Sequence, residues 1–196
     1  MVRAYTDTEL INIVGQLQGF RGIPYYLLIG VRSKEDTFDV FDDKFYFFVN
    51  GEFYAMTTGT TNPGGKSLLG GWRKVNTKGS AIIKSNEIYY DVYEYGLHKG
   101  KMPALRQRFG PVGNMKYYRD GNDNKKVDEL GIVYTGVYNT NFHFNNYDIK
   151  TKIKSLMIGG WSEGCQVAND SEGYNKIINK VAGDRRPVTY ALIKET

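Results

Sequence analysis

Apolar positions along the chain follow two periods. Leu10, Ile13, Val14 and Leu17 recur at helical spacing, and Thr6 with Glu9 ahead of them has the spacing of a capping box. The pattern predicts a helix that Gly19 and Gly22-Ile23-Pro24 end. Tyr25 to Val31 is an unbroken apolar run and reads as a buried strand. Lys44–Val49 and Glu52–Thr57 flank Asn50-Gly51, the dipeptide that supplies positive φ at both centres of a type I′ turn, so a β-hairpin is expected there. Beyond a glycine-rich crossing over 58–80 lie short strand candidates at Ala81–Lys84, Ile88–Tyr93, Val112–Tyr118, Ile132–Tyr138, Ser155–Ile158 and Val188–Ile193. Tyr174, Ile177, Ile178 and Val181 mark a second helix, with Gly183 at its C-cap. Many short strands and two or so short helices predict a mainly β domain, sandwiched or closed into a barrel. The 196 residues suit a single domain, with residues 1–36 as an N-terminal helix-and-strand extension and 37–196 as the core.

Composition narrows the function classes. A net charge of +5 is spread over scattered lysines without the stripe or module of a nucleic-acid binder, so no nucleic-acid partner is expected. The longest apolar run is too short to span a bilayer, so no membrane partner is expected either. Met1-Val2-Arg3-Ala4-Tyr5 leads into a polar segment instead of an apolar signal region, which points to cytoplasmic synthesis. One cysteine excludes an internal disulfide, and one cysteine with two histidines argues against a dedicated Cys/His zinc site. Oligomeric state is not legible.

The single cysteine sits in Trp161-Ser162-Glu163-Gly164-Cys165-Gln166-Val167, with His143 upstream in Asn141-Phe142-His143-Phe144. A lone cysteine is commonly a small buried hydrophobe. Its flanks change the picture, because a glycine directly before it, after a strand-like run, puts the sulfur on a tight turn with backbone N–H groups free for a developing oxyanion. An imidazole beside the thiol is expected to lower its pKa below about 8.5 and to serve as base and acid. His precedes Cys closely, so neither the papain-like nor the caspase-like chain order fits.

His143, its spacer and Ser162-Glu163-Gly164-Cys165 resemble the signature of the L,D-transpeptidase (YkuD-type) catalytic domain. Asp42 to Glu52 is similar to that family's opening hairpin, and Thr57-Thr58-Gly59 with Asn62-Pro63-Gly64 to its Thr-Gly segment; the likeness runs over about residues 38–170. Short members lacking an export signal and carrying Ser-x-Gly-Cys-Gln-Val look bacteriophage-encoded. The resemblance implies an L,D-transpeptidase-like fold and acyl transfer or hydrolysis on peptidoglycan stem peptides through a Cys165 thioester. Action would be at the bacterial cell wall or in a phage particle. Cys165 would be the nucleophile and His143 the base; Gly164 and its neighbours would supply oxyanion donors, and Ser162 would shape the turn and orient the imidazole. Glu163, Gln166, Trp161 and His98 would contact substrate. For His98, in Gly96-Leu97-His98-Lys99-Gly100, an exposed loop position is the plainer reading. Glu163 stands where the family has a histidine or small residue, and Gln166-Val167 where it has an apolar residue and then Arg or Asn. Those departures sustain an alternative, a non-catalytic cell-wall-binding or virion-associated module that retains the fold.

No cofactor is required for this chemistry, but a structural calcium is a candidate. Asp120, Asn122, Asn124 and Asp128 occupy positions 1, 3, 5 and 9 of a calcium-type loop. Lys125 replaces the usual glycine and Gly131 the bidentate glutamate, a role left to Glu129 or Asp123. An ion-free Asx-rich loop is the other reading. Trp72 and Trp161 suit either a ligand groove or packing.

Overall fold

The Thr6 capping box closes as expected: Thr6 Oγ1 accepts the Glu9 N–H at 3.2 Å, and the Glu9 carboxylate accepts the Thr6 N–H at 2.7 Å. The computed structural model describes every residue except Arg73, Val75, Asn76 and Thr196. After α1 (Asp7–Gly15) come β1 (Tyr26–Arg32), β2 (Asp43–Val49), β3 (Glu52–Thr60), the short α2 (Gly65–Leu68), β4 (Ser80–Ile83), β5 (Glu87–His98) and β6 (Met102–Gln107). They are followed by β7 (Met115–Asp120), β8 (Tyr134–Gly136), β9 (Phe142–Phe144), β10 (Gln166–Ala168), α3 (Ser171–Asp184) and β11 (Val188–Lys194). The protein is mainly β. Strands β1-β11-β5-β6-β9-β10-β3-β2 close a barrel in that order, and β4-β7-β8 form a separate three-stranded sheet.

Asn50 and Gly51 take φ of 51° and 84°, so the hairpin between β2 and β3 turns as its dipeptide predicts. The unbroken apolar run of β1 has a plain cause. Tyr26 and Leu28 face the barrel core with Phe45, Phe47, Tyr190 and Leu192, while Leu27, Ile29 and Val31 face Leu10 and Val14 of α1. Both faces are buried, so alternation is lost. The strand expected in an N-terminal extension is therefore a barrel stave, hydrogen-bonded to β2 on one side and β11 on the other.

Local expectations differ in places: the strand expected over Val112–Tyr118 begins only at Met115, because Pro111–Gly113 forms a 3-10 turn. Ser155–Ile158 is not a strand. Asn169 takes both backbone groups of Ser155, accepting its N–H at 2.9 Å and donating to its carbonyl at 2.9 Å, and only Met157 makes a bridge, to Val40. Gly183 lies inside α3, and Arg185 supplies the left-handed cap with φ 57°, its N–H donating to the Val181 carbonyl at 2.8 Å.

One buried ion pair ties the connection between β7 and β8 to the barrel. Arg32, fully buried at the end of β1, donates to Glu129 at 2.6 Å and to Thr61, while Glu129 also accepts from the N–H and hydroxyl of Ser85. Among the described residues no helix is long and apolar enough to cross a membrane.

Candidate active site

Three short stretches of barrel wall meet at one cleft. Parallel pairing of β9 with β10 sets Phe142 opposite Gln166 and His143 opposite Val167, which leaves Cys165 just before the ladder, beside Asn141. Side chains alternate along these strands. Phe142 and Phe144 enter the barrel core, so His143 faces the other way. Val167 shares that outer face with Cys165 and Trp161, so Gln166 and Ala168 point inward. His98 ends β5, whose neighbour β6 pairs with β9 through Leu105 and Phe142. The cleft, about 1210 Å³, runs between this wall and the β4-β7-β8 sheet, and both Trp72 and Trp161 line it.

One nitrogen of His98, one of His143 and the Cys165 sulfur lie within 4.8 Å of one another. His143 is fully buried, and its Nδ1 donates to the Phe144 carbonyl at 2.8 Å. A carbonyl only accepts, so Nδ1 carries the proton and Nε2 the lone pair. That Nε2 is buried with no hydrogen-bond partner among the described residues. It is a buried acceptor left without a hydrogen bond. The carbonyls of Phe144 and Trp161 both favour the protonated ring.

The half-buried thiol donates to the Asn139 carbonyl at 3.6 Å, a contact at the long end even for sulfur. Burial pushes its pKa up to about 11, against which the Asn141 backbone N–H and Lys99 pull down. Burial, with His98 and Lys99 beside it, pushes His143 down to about 3. The direction is opposite to the depressed thiol pKa expected from the sequence: burial disfavours charge on both groups, and the resting pair is neutral.

Ser162 is fully buried and holds the turn from within. Its Oγ accepts the Gly164 N–H at 3.1 Å and donates to the Cys165 carbonyl at 2.8 Å. It makes no hydrogen bond to the imidazole, so its part is shaping the turn, and the ring is oriented by Phe144. The Gly164 N–H, expected as an oxyanion donor, is spent on Ser162. No acceptor among the described residues takes the Cys165 N–H. Gly164 itself has φ +130°, and the Ala81 N–H donates to Glu163 at 3.3 Å, pressing this turn against β4.

Glu163 and Trp161 line the cleft, Trp161 meeting Tyr147 edge-on at 5.5 Å. Gln166 does not. It is fully buried inside the barrel, where it accepts from the Tyr190 hydroxyl and donates to the Gly164 carbonyl. Strand alternation places it there, since a residue next to an outward Cys165 must turn inward. His98 is the opposite case. It is 7% exposed, stacked on His143 with ring centroids 3.9 Å apart and planes 21° apart, and belongs to the cleft and not to an exposed loop.

Set against family models, curated proteins and solved structures, the chain matches none.

Two ion sites can be tested on their donors. Cys165, His98 and His143 are a zinc-like set in composition, but the stacked imidazoles lie in near-parallel planes, so their lone pairs cannot converge on one ion at about 2.0 Å. Asn141 also donates to His98 Nδ1, which puts the ring proton on Nε2 and leaves no free lone pair there. The set does not fit a resident metal. The calcium-type loop fails similarly. Asn122 and Asn124 turn their amide N–H groups to the Asp128 carboxylate at 2.6 and 3.0 Å, their oxygens accept the backbone N–H groups of Asn124 and Lys126, and Asp120 accepts the Asp128 N–H. Glu129 is committed to Arg32 and Ser85. These bonds close the loop on itself, in the manner of the ion-free Asx-rich reading. Millimolar calcium should therefore leave the melting temperature of both wild type and Asp128→Ala unchanged; a rise in wild type abolished in Asp128→Ala would restore the site.

Proposed function

We propose that this protein is a cysteine acyltransferase or peptidase of the L,D-transpeptidase type, acting on peptidoglycan stem peptides through a Cys165 thioester. The observation that carries the reading is the unpartnered, deprotonated Nε2 of His143, whose ring is fixed by a backbone carbonyl, beside the only thiol of the chain in an open cleft. In the reaction, His143 Nε2 takes the thiol proton as the sulfur attacks the acyl carbon. The tetrahedral adduct expels the amine, which leaves with that proton, and the thioester remains. A second amine completes cross-linking, or water completes hydrolysis, with His143 again as base.

Cleft charge agrees with an anionic peptide. Lys99, Arg106 and Arg119 line it against the single carboxylate of Glu163, and none of the three has an acidic partner among the described residues. Arg119 sits over the Tyr138 ring at 4.3 Å with its guanidinium also donating to the Gly79 carbonyl. These cations could hold stem-peptide carboxylates in place of the Arg or Asn that the motif lacks after Cys165. The place of action assigned by this reading is the bacterial wall or a phage particle that meets it. Incubation with purified peptidoglycan fragments should give an acyl adduct on the intact protein by mass, absent from Cys165→Ala. An unmodified wild-type protein that still binds the fragments would favour the non-catalytic wall-binding module.

A further inference from the structure

His98 is the side chain in this cleft whose role the thioester mechanism leaves open, and its proton can be placed. Asn141 Oδ1 accepts the Gln107 backbone N–H at 2.9 Å, so the amide must present its Nδ2–H to His98 Nδ1, 3.1 Å away. A ring nitrogen that accepts has no proton, so the proton of neutral His98 is on Nε2. Among the described residues nothing accepts it, and the ring lines the cleft.

We propose that His98 donates a hydrogen bond through Nε2–H to the acyl oxygen of the carbonyl attacked by Cys165, forming an oxyanion site together with the Cys165 N–H. The proposal rests on the acyl-transfer reading above and assigns the second donor that the turn does not supply, since Gly164 N–H is spent on Ser162. Distances agree. An acyl oxygen on the carbon under attack sits about 3 Å from the sulfur, and a hydrogen bond adds about 2.8 Å, so a donor ring within 4.8 Å of Sγ can reach it. The stacking also has a use. When His143 becomes imidazolium, the face of a neutral aromatic ring 3.9 Å away supports the charge, whereas a second cation would oppose it. The groups facing His98 are Lys99 next to it, Arg106 on β6, His143 and Cys165, with Glu163 across the cleft; burial and the two cations hold it neutral, with its pKa pushed down to about 4.

The test compares two reactions of the same sulfur. Acylation by p-nitrophenyl acetate forms the S–C bond, breaks the bond to p-nitrophenolate, sends the thiol proton to His143 and passes through an oxyanion. Alkylation by iodoacetamide displaces iodide at a saturated carbon and builds no oxyanion. His98→Ala should lower acylation about 100-fold while alkylation stays within about twofold, and His98→Gln, which keeps an N–H donor, should recover part of the loss. Asn141→Asp gives a second readout. A carboxylate there accepts a proton from Nδ1, which strips Nε2 of its own in the neutral ring. The ratio of acylation to alkylation should then be low at pH 8 and recover toward pH 6 as His98 becomes doubly protonated, a profile absent from wild type. Equal losses in both reactions, or no loss in either, would overturn the assignment. A wild-type protein that alkylates but is acylated by neither the ester nor peptidoglycan fragments would overturn the acyl-transfer reading itself.

Discussion

His143→Ala should lose about a thousandfold in the rate of Cys165 acylation near neutral pH, the largest effect expected of any change outside the cysteine. The reason is the thiol's own reluctance to ionise. With its pKa pushed up by burial, the thiol is almost wholly protonated at pH 7, so acylation at that pH calls for a base that removes the proton during attack. In the proposed mechanism that base is Nε2 of His143, the unprotonated nitrogen of the ring. Alkylation by iodoacetamide should climb about tenfold per pH unit through pH 8 to 10 in wild type and in His143→Ala alike, because hydroxide generates the thiolate in both. Intact-mass kinetics across pH 6 to 10 check both statements. A rate plateau extending down to neutrality in wild type, lost in His143→Ala, would mean a preformed thiolate–imidazolium pair and would sink the neutral resting state.

Gly164→Val and Gly164→Ala should both destabilise the fold, by roughly 3 kcal/mol or more, and remove acylation with it. From the sequence, a side chain at this position is expected to crowd the sulfur and leave the fold intact. The structure moves the cause. At φ +130° an L side chain is strained, and the added Cβ would collide with the backbone carbonyl oxygen of Ala81 on β4, which has no rotamer by which to yield. The turn would have to leave β4, breaking the Ala81–Glu163 hydrogen bond and the Ser162 bridge together. Urea unfolding with parallel acylation assays measures this. A Gly164→Ala protein of wild-type stability would show that the turn yields where β4 is taken to be rigid.

Local chemistry was legible where a few neighbouring residues decide the outcome. The Thr6–Glu9 box, the Asn50-Gly51 turn and the apolar stripe of α3 each carry their own instructions, and each forms. Strands β9 and β10 are three residues long, and β6 likewise lacked a signal; such segments become strands because a neighbour supplies the ladder. Ser155–Ile158 shows the converse, a β-like run captured instead by one asparagine. In the site, His143 and Cys165 were paired by motif, whereas His98 reaches them only through the pairing of β5 with β6 and β6 with β9. The signal for Gln166 was present, since period-two alternation beside Cys165 turns it inward. The thiol's elevated pKa had none, because desolvation depends on what the finished barrel packs around the sulfur.

The parallel seam between β1 and β11 has a kinetic meaning. Leu27 lies against Thr189, so the stave nearest the start of the chain finds one of its two partners only across most of the sequence, and β5 takes its second partner from the same late strand. Closure of so long a loop is slow. Until it happens, β1 and β5 present unpaired edges rich in apolar side chains, open to strands of other chains. His98 ends one of those strands, so the third member of the His98, His143 and Cys165 cluster is secured only when the barrel shuts. An incompletely folded molecule would carry the thiol without the environment that restrains it, and a closed barrel is thus also what keeps that thiol from indiscriminate chemistry.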